Sequence, residues 1–203
     1  MIILAVLLVG LPVPLFVAVD RVVYHFESRD TFCIACHLHE RKYKEFTVPP
    51  GQEVSLAARH HTTNKVRCID CHKGEGVWER LGVLTIAAWD TIIYFLGMHE
   101  EPQHMRFPLG NATCLKCHQK DLVPKGAYAT KYHDLTPHAN LPIRCPECHV
   151  AHPHGDPKLD FLVQARVIPI CQRCHPTMFD AAALATPFPL LVTTMPRGNA
   201  PAL

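Results

Sequence analysis

The chain has no cysteine to spare: all ten sit in five Cys-x-x-Cys-His pentapeptides. It lacks convincing apolar–polar alternation at period two, which argues against a domain built on sheets. It lacks a strong net charge, at +2 with His neutral, so a strongly basic surface of the kind that holds nucleic acid is not expected. Residues 2–19 carry no charge at all. Ahead of that stretch there is no basic segment, and after it no clean small-x-small cleavage site, which disfavours a cleaved secretory signal.

What is present begins with the cysteines. The pentapeptides are Cys33–Cys36–His37, Cys68–Cys71–His72, Cys114–Cys117–His118, Cys145–Cys148–His149 and Cys171–Cys174–His175. In such a motif both thiols form thioethers to a haem, and the adjacent histidine swings under the iron as the proximal ligand. A disulfide framework has no reason to place His after every pair. Zinc sites use Cys-x-x-Cys pairs without a histidine at one fixed offset, and five pairs leave an odd one. Thioredoxin-like redox pairs rarely come in fives. The reading is five covalently bound haem c in 203 residues. Most of the core volume should then be porphyrin, wrapped by short helices and, with 18 prolines, by many irregular connections. The fold class expected is mainly α with much irregular structure and almost no β. Each haem brings two propionates, so some basic residues should pair with these. Arg67 and Arg144, each directly before a motif, are the candidates.

Three segments follow. Residues 1–26 read as a transmembrane helix, kinked at Pro12 and Pro14 and retained as an anchor. Haem attachment takes place outside the cytoplasm, which would put the rest on the periplasmic side of a bacterial cytoplasmic membrane. Residues 27–175 read as the multihaem domain. It contains a repeat: His61-Thr-Thr-Asn-Lys-Val-Arg-Cys68 and His138-Ala-Asn-Leu-Pro-Ile-Arg-Cys145 share one frame. Motifs one and two (33–72) thus form a dihaem unit, motifs three and four (114–149) its duplicate, and motif five (171–175) an addition. Between the units, Val77 to Leu96 has the pattern of an amphipathic helix, at the membrane surface or under a haem. Residues 176–203 read as an extended Pro-rich tail docked on a partner.

Ten further histidines lie outside the motifs: His25, His39, His60, His61, His99, His104, His133, His138, His152 and His154. Low-spin electron carriers need a second axial ligand on each iron, which an excess of histidine supplies.

Residues 1 to about 154 resemble the NapC/NirT family of membrane-anchored quinol dehydrogenases. The matching features are the anchor and Phe32-Cys-x-x-Cys-His37 followed by Tyr43 and Glu45. Next come Cys68-Ile-Asp-Cys-His72, then Ala88-Trp89-Asp90 with Tyr94 and Leu96-Gly97. His133-Asp134, the motif ending at His149, and His154 complete the match. The resemblance implies that each dihaem unit lends a distal histidine to the other, pointing to His60 or His61 and to His133 or His138. It also implies His154 as distal ligand of a central haem, and Asp90 near the first haem.

The chain departs from that family in four ways. His39 stands where family members often have Met. No lysine occurs between Lys73 and Lys116, where the family's quinol site has one. There is a fifth motif, and there is no attached catalytic domain. These departures resemble the pentahaem subunit of alternative complex III. That resemblance implies an electron carrier, not itself an enzyme, in a quinol-oxidising respiratory or photosynthetic complex. Iron–sulfur and integral-membrane subunits would handle quinol, and a periplasmic cytochrome c or copper protein would receive the electrons. The alternatives are a stand-alone quinol dehydrogenase feeding a periplasmic reductase, and a multihaem reductase acting on an oxyanion. For the fifth haem's distal position, His25, His99 and His104 compete with Met98 and Met105.

Overall fold

A computed structural model describes residues 12–102, 105–122, 124–126, 132–138 and 141–176. The chain runs through α1 (Pro12–Glu27), a 3-10 turn (Asp30–Ile34), α2 (Glu40–Phe46), α3 (Leu56–Asn64) and α4 (Cys68–His72). It continues through α5 (Gly76–Phe95), α6 (Asn111–His118), α7 (Cys145–Cys148) and α8 (Gln164–Gln172), with short 3-10 turns between. The architecture is mainly helical. Among the described residues β structure is limited to isolated bridges, Ser55 with His154, Gly126 with Leu135 and Asp156 with Leu162.

Motifs two and four sit on the two shortest α-helices for a local reason. The backbone N–H of Arg67 donates to Asp70 Oδ2 at 2.9 Å, and that of Arg144 to Glu147 Oε1 at 2.9 Å. Each carboxylate lies inside a motif and closes the first turn of its helix, as in a capping box. The same carboxylates hold the guanidiniums: Arg67 Nη2 is 2.9 Å from Asp70 Oδ1, and Arg144 Nε is 3.3 Å from Glu147 Oε1. The two arginines expected to meet propionates are thus engaged by the carboxylates of their own motifs. After α4 the chain turns sharply at Gly74 (φ +78°), where a Cβ would lie 2.7 Å from the Glu79 carbonyl carbon. Only glycine fits that turn into α5.

The apolar core made by the polypeptide is thin. Among the described residues it consists of Phe46, Ala58, Ile69, Phe161, Val167, Ile168 and Ile170. Seven side chains are few for a chain of this length, and flat apolar cofactors would complete the interior.

Two stretches of the expected organisation fall outside the described residues: 1–11 of the anchor and the tail beyond 176. Among the described residues no helix is long and apolar enough to cross a membrane. α1 has 16 residues and begins where the charge-free run is already half over.

Candidate haem-binding site

The five motifs are carried by the 3-10 turn with the residues after it (motif one), by α4, α6 and α7 with His149, and by α8 with the turn after it (motif five). These elements touch in chain order: first and second, second and third, third and fourth, fourth and fifth. Cys33 and Cys68, the leading cysteines of motifs one and two, lie beside each other, as do Cys114 and Cys145 of motifs three and four.

The same device aligns both pairs. Asp30 Oδ1 accepts the Cys68 N–H at 2.8 Å, and Asn111 Oδ1 accepts the Cys145 N–H at 2.8 Å. Asp30 stands three residues before Cys33, and Asn111 three before Cys114. Each satisfies a free donor at the start of the neighbouring motif's helix. The second pair is linked to the first by Lys116, inside motif three. Its Nζ donates to the Asp70 carbonyl of motif two and lies 2.6 Å from Glu75 Oε1.

The histidines show the central geometry. Four motif histidines each face a histidine from outside the motifs. His72 and His152 have ring centroids 6.0 Å apart, His118 and His60 5.9 Å, His149 and His133 5.9 Å, and His175 and His138 6.2 Å. Two metal–imidazole bonds of about 2 Å each, plus the inner half-widths of two rings, come to roughly 6 Å. The spacing therefore fits one iron between each pair. Among the described residues no group of three or more His, Cys, Asp or Glu converges as a zinc site would require. Paired rings fit the axial ligation of haem.

The surroundings favour the ligating state. Burial pushes His72 down to about 4 from 6.5, helped by His152, His39 and Lys42 nearby. Burial likewise lowers His133, His149 and His152. Neutral imidazole is the form that binds metal. The Nδ1 atom of His60 lies 2.8 Å from the Leu56 carbonyl, so donation there leaves Nε2 toward His118. Beside Cys71 and His72 lies a shallow cleft walled in part by Val83, Phe107, Pro108 and Leu109. It offers an apolar wall to a flat ring.

Each distal histidine is placed by tertiary structure. The segment after motif four runs antiparallel to the entrance of α3: the Ala57 N–H donates to the Ala151 carbonyl at 2.8 Å, and the Gly155 N–H to Val54 at 2.9 Å. That strap sets His152 against His72. His133 and His138 occupy consecutive 3-10 turns, Tyr132–Asp134 and Thr136–His138. Lys125 Nζ is 3.0 Å from the buried Asp134 carboxylate, and Tyr132 stacks on His138 at 4.5 Å.

Other sequence candidates lie elsewhere. His154, implied as a central ligand, has Nε2 3.7 Å from Glu45 Oε1 and a side chain 66% exposed. His152, absent from the candidate ligand set, takes the place facing His72. His138 faces motif five, where His25, His99, His104, Met98 and Met105 were considered. His61 packs on Phe46 at 4.3 Å, with Nδ1 3.0 Å from the Val66 carbonyl. His99 stacks on Tyr94 at 4.5 Å. His39 Nδ1 lies 3.3 Å from Glu101 Oε1, at ion-pair distance but out of line for a hydrogen bond. Asp90 pairs with Arg106 at 2.7 Å. His104 lies outside the described residues. In motif one, His37 Nδ1 sits 3.0 Å from Glu40 Oε1, and its side chain is 84% exposed. Asp30, Asn111 and Glu40 were not anticipated. For the first two the repeat held the signal, as a side-chain oxygen three residues before the leading cysteine of each unit.

Helices too short to carry a conventional core, each bearing Cys-x-x-Cys-His and most facing a second histidine, define a multihaem c-type cytochrome. NrfB-like cytochrome c-type proteins match over residues 68–174, more than half of the chain, and the chain belongs to that family. The cytochrome c-type protein NrfB of Escherichia coli O6:H1 is 25% identical over 153 residues, covering 72% of this chain. The chain spans 65% of the length of that relative. No solved structure matches the chain. Membership implies covalently bound haem c and an electron-carrying role. The family match starts at Cys68 and leaves motif one and the N-terminal segment outside it.

Proposed function

We propose that this chain binds five haem c and passes electrons along them in chain order, as a membrane-anchored subunit of a quinol-oxidising complex like alternative complex III. The observation that carries the reading is the set of four facing histidine pairs at about 6 Å, with motif-bearing elements that touch in chain order. Bound haem supplies reversible one-electron iron chemistry. The residues do the rest. His60, His133, His138 and His152 would hold haem iron together with His118, His149, His175 and His72. Burial favours the neutral form of His72, His133, His149 and His152, and a second histidine at four of the five motifs favours carriage over catalysis.

Residues 1–26 hold the chain on the periplasmic face of the cytoplasmic membrane. Iron–sulfur and integral-membrane subunits deliver the electrons, because the stretch from Lys73 to Lys116 lacks the lysine of a quinol site and Asp90 is committed to Arg106. A periplasmic cytochrome c or copper protein accepts them. The 176–203 tail docks on a partner subunit.

Purification from native membranes tests this, with mass spectrometry of the chain and of whatever co-migrates. Five haem masses on the chain and co-migrating iron–sulfur and integral-membrane subunits are expected. An isolated chain that oxidises quinol would make it a stand-alone quinol dehydrogenase. Ligand binding to the reduced protein, with high-spin haem in the native state, would make it a reductase.

A further inference from the structure

α5 is built inside out for a helix in water. Its one buried residue is a charge, Arg80, at 8% exposed. Its largest apolar side chains face outward: Trp78 83%, Phe95 81%, Leu96 63%, Trp89 55% and Ile92 51% exposed. At 3.6 residues per turn, Trp78 and Leu96 are about five whole turns apart, with Trp89 and Ile92 on the same stripe. Glu79 and Asp90 lie together about a quarter-turn or more away from that stripe, and Arg80 lies further round.

Every charge on this helix is engaged on the protein side. Arg80 Nε donates to Asp20 Oδ1 at 2.7 Å, and its Nη2 to Glu27 Oε2 at 2.6 Å, both on α1. Asp90 Oδ1 is 2.7 Å from Arg106 Nη1. Glu79 Oε2 accepts the Glu75 N–H at 2.7 Å. The stripe is thus left with no charge of its own. An exposed face of this size, with every charge of the helix held by protein groups behind it, marks a contact with something apolar.

The occupant follows from continuity. Through Arg80, α5 is tied to α1, whose own exposed side includes Val13, Leu15 and Val17. α1 is preceded by ten residues, 2–11, without a single charge. Two tryptophans on an otherwise aliphatic stripe suit the boundary between acyl chains and headgroups.

We propose that α5 lies in the membrane interface as a second lipid contact beside the N-terminal segment, with Trp78, Trp89, Ile92 and Leu96 facing the acyl chains. This rests on the anchored reading above. The Arg80 clasp then sets how the haem domain stands on the membrane.

The test is photolabelling of the haem-loaded full chain in vesicles of phosphatidylethanolamine and phosphatidylglycerol containing a lipid with an acyl-chain diazirine. Label is expected in peptides covering 12–19 and 76–98, with α3 unlabelled. Label in 12–19 but none in 76–98 would overturn the proposal while leaving the anchor standing. No label in either would overturn both. Trp89→Glu combined with Phe95→Glu should lower the 76–98 label several-fold, leave 12–19 unchanged and leave the low-spin haem spectrum intact. An unchanged 76–98 label in that variant, or crosslinking of α5 to a second copy or another subunit in place of lipid, would also overturn it.

Discussion

The two dihaem units share their local construction and differ in where their ligands come from. In both, a side-chain oxygen three residues ahead of the odd motif caps the even motif: Asp30 to Cys68 and Asn111 to Cys145. In both, an arginine ahead of the even motif meets an acid inside it. The facing histidines repeat only in part. His72 of the first unit is met by His152, from beyond the second unit, whereas His149 of the second is met by His133 from within its own. His60 of the first unit reaches forward to motif three, and His138 of the second reaches forward to motif five. These contacts recur because each lies inside one unit: the caps join its two motifs, and the arginine and acid stand three residues apart. Axial ligation spans the fold, so each copy had to solve it again.

The largest expected effects break the ligand half of this comparison. His152→Ala should convert about one haem in five to a high-spin form, seen by electron paramagnetic resonance and in the Soret band, while His154→Ala should leave the count unchanged. The reverse result would return the central ligand to His154. His133→Ala and His138→Ala should each cost one low-spin haem, the first at motif four and the second at motif five.

Acid should act on both units in the same direction. The unfolded chain takes up a proton on His72 near 6.5, the folded chain only near 4. The unfolded state therefore binds more protons between these values, and stability rises with pH across the window. The contribution is complete above about 6.5 and is lost as pH falls toward 4. His133, His149 and His152 are lowered too and add in the same sense. A melting temperature that drops from pH 7 to pH 4 checks this; one that rises would contradict it.

The shared half of the comparison should respond equally in both units. Asp30→Ala and Asn111→Ala each strip an acceptor from a motif helix and should each destabilise by about 1 kcal/mol, measured by denaturant unfolding. A cost confined to one would show that the units are not held alike. The smallest effect belongs to Arg144→Ala. Its guanidinium is 62% exposed, so under about 1 kcal/mol is expected. The equivalent Arg67→Ala should cost somewhat more, because Arg67 also donates to the Tyr24 hydroxyl at 3.1 Å.

These contrasts follow how legible each feature was. The helix between the units and the repeat could be read directly, because both are patterns along the chain itself. His60, His133 and His138 could be nominated as ligands but not assigned, since spacing says nothing about which haem a histidine reaches. His152 was passed over in favour of His154, two residues on. Which of the two faces inward depends on the strap pairing Ala151 and Gly155 with the entrance of α3, and no local pattern announces that pairing. Arg67 and Arg144 were assigned to propionates because a positive charge in sequence carries no address, and the carboxylate inside each motif was nearer.

By itself the sequence determined the chemistry: ten cysteines and five adjacent histidines at invariant spacing commit the chain to covalent haem, since attachment needs only one helical turn. It also determined the local caps. Only the tertiary structure decided which histidine opposes which, and that α5 turns its tryptophans outward and its arginine in. Those choices depend on segments tens of residues apart meeting at ångström distances, and a pattern along one dimension does not contain them.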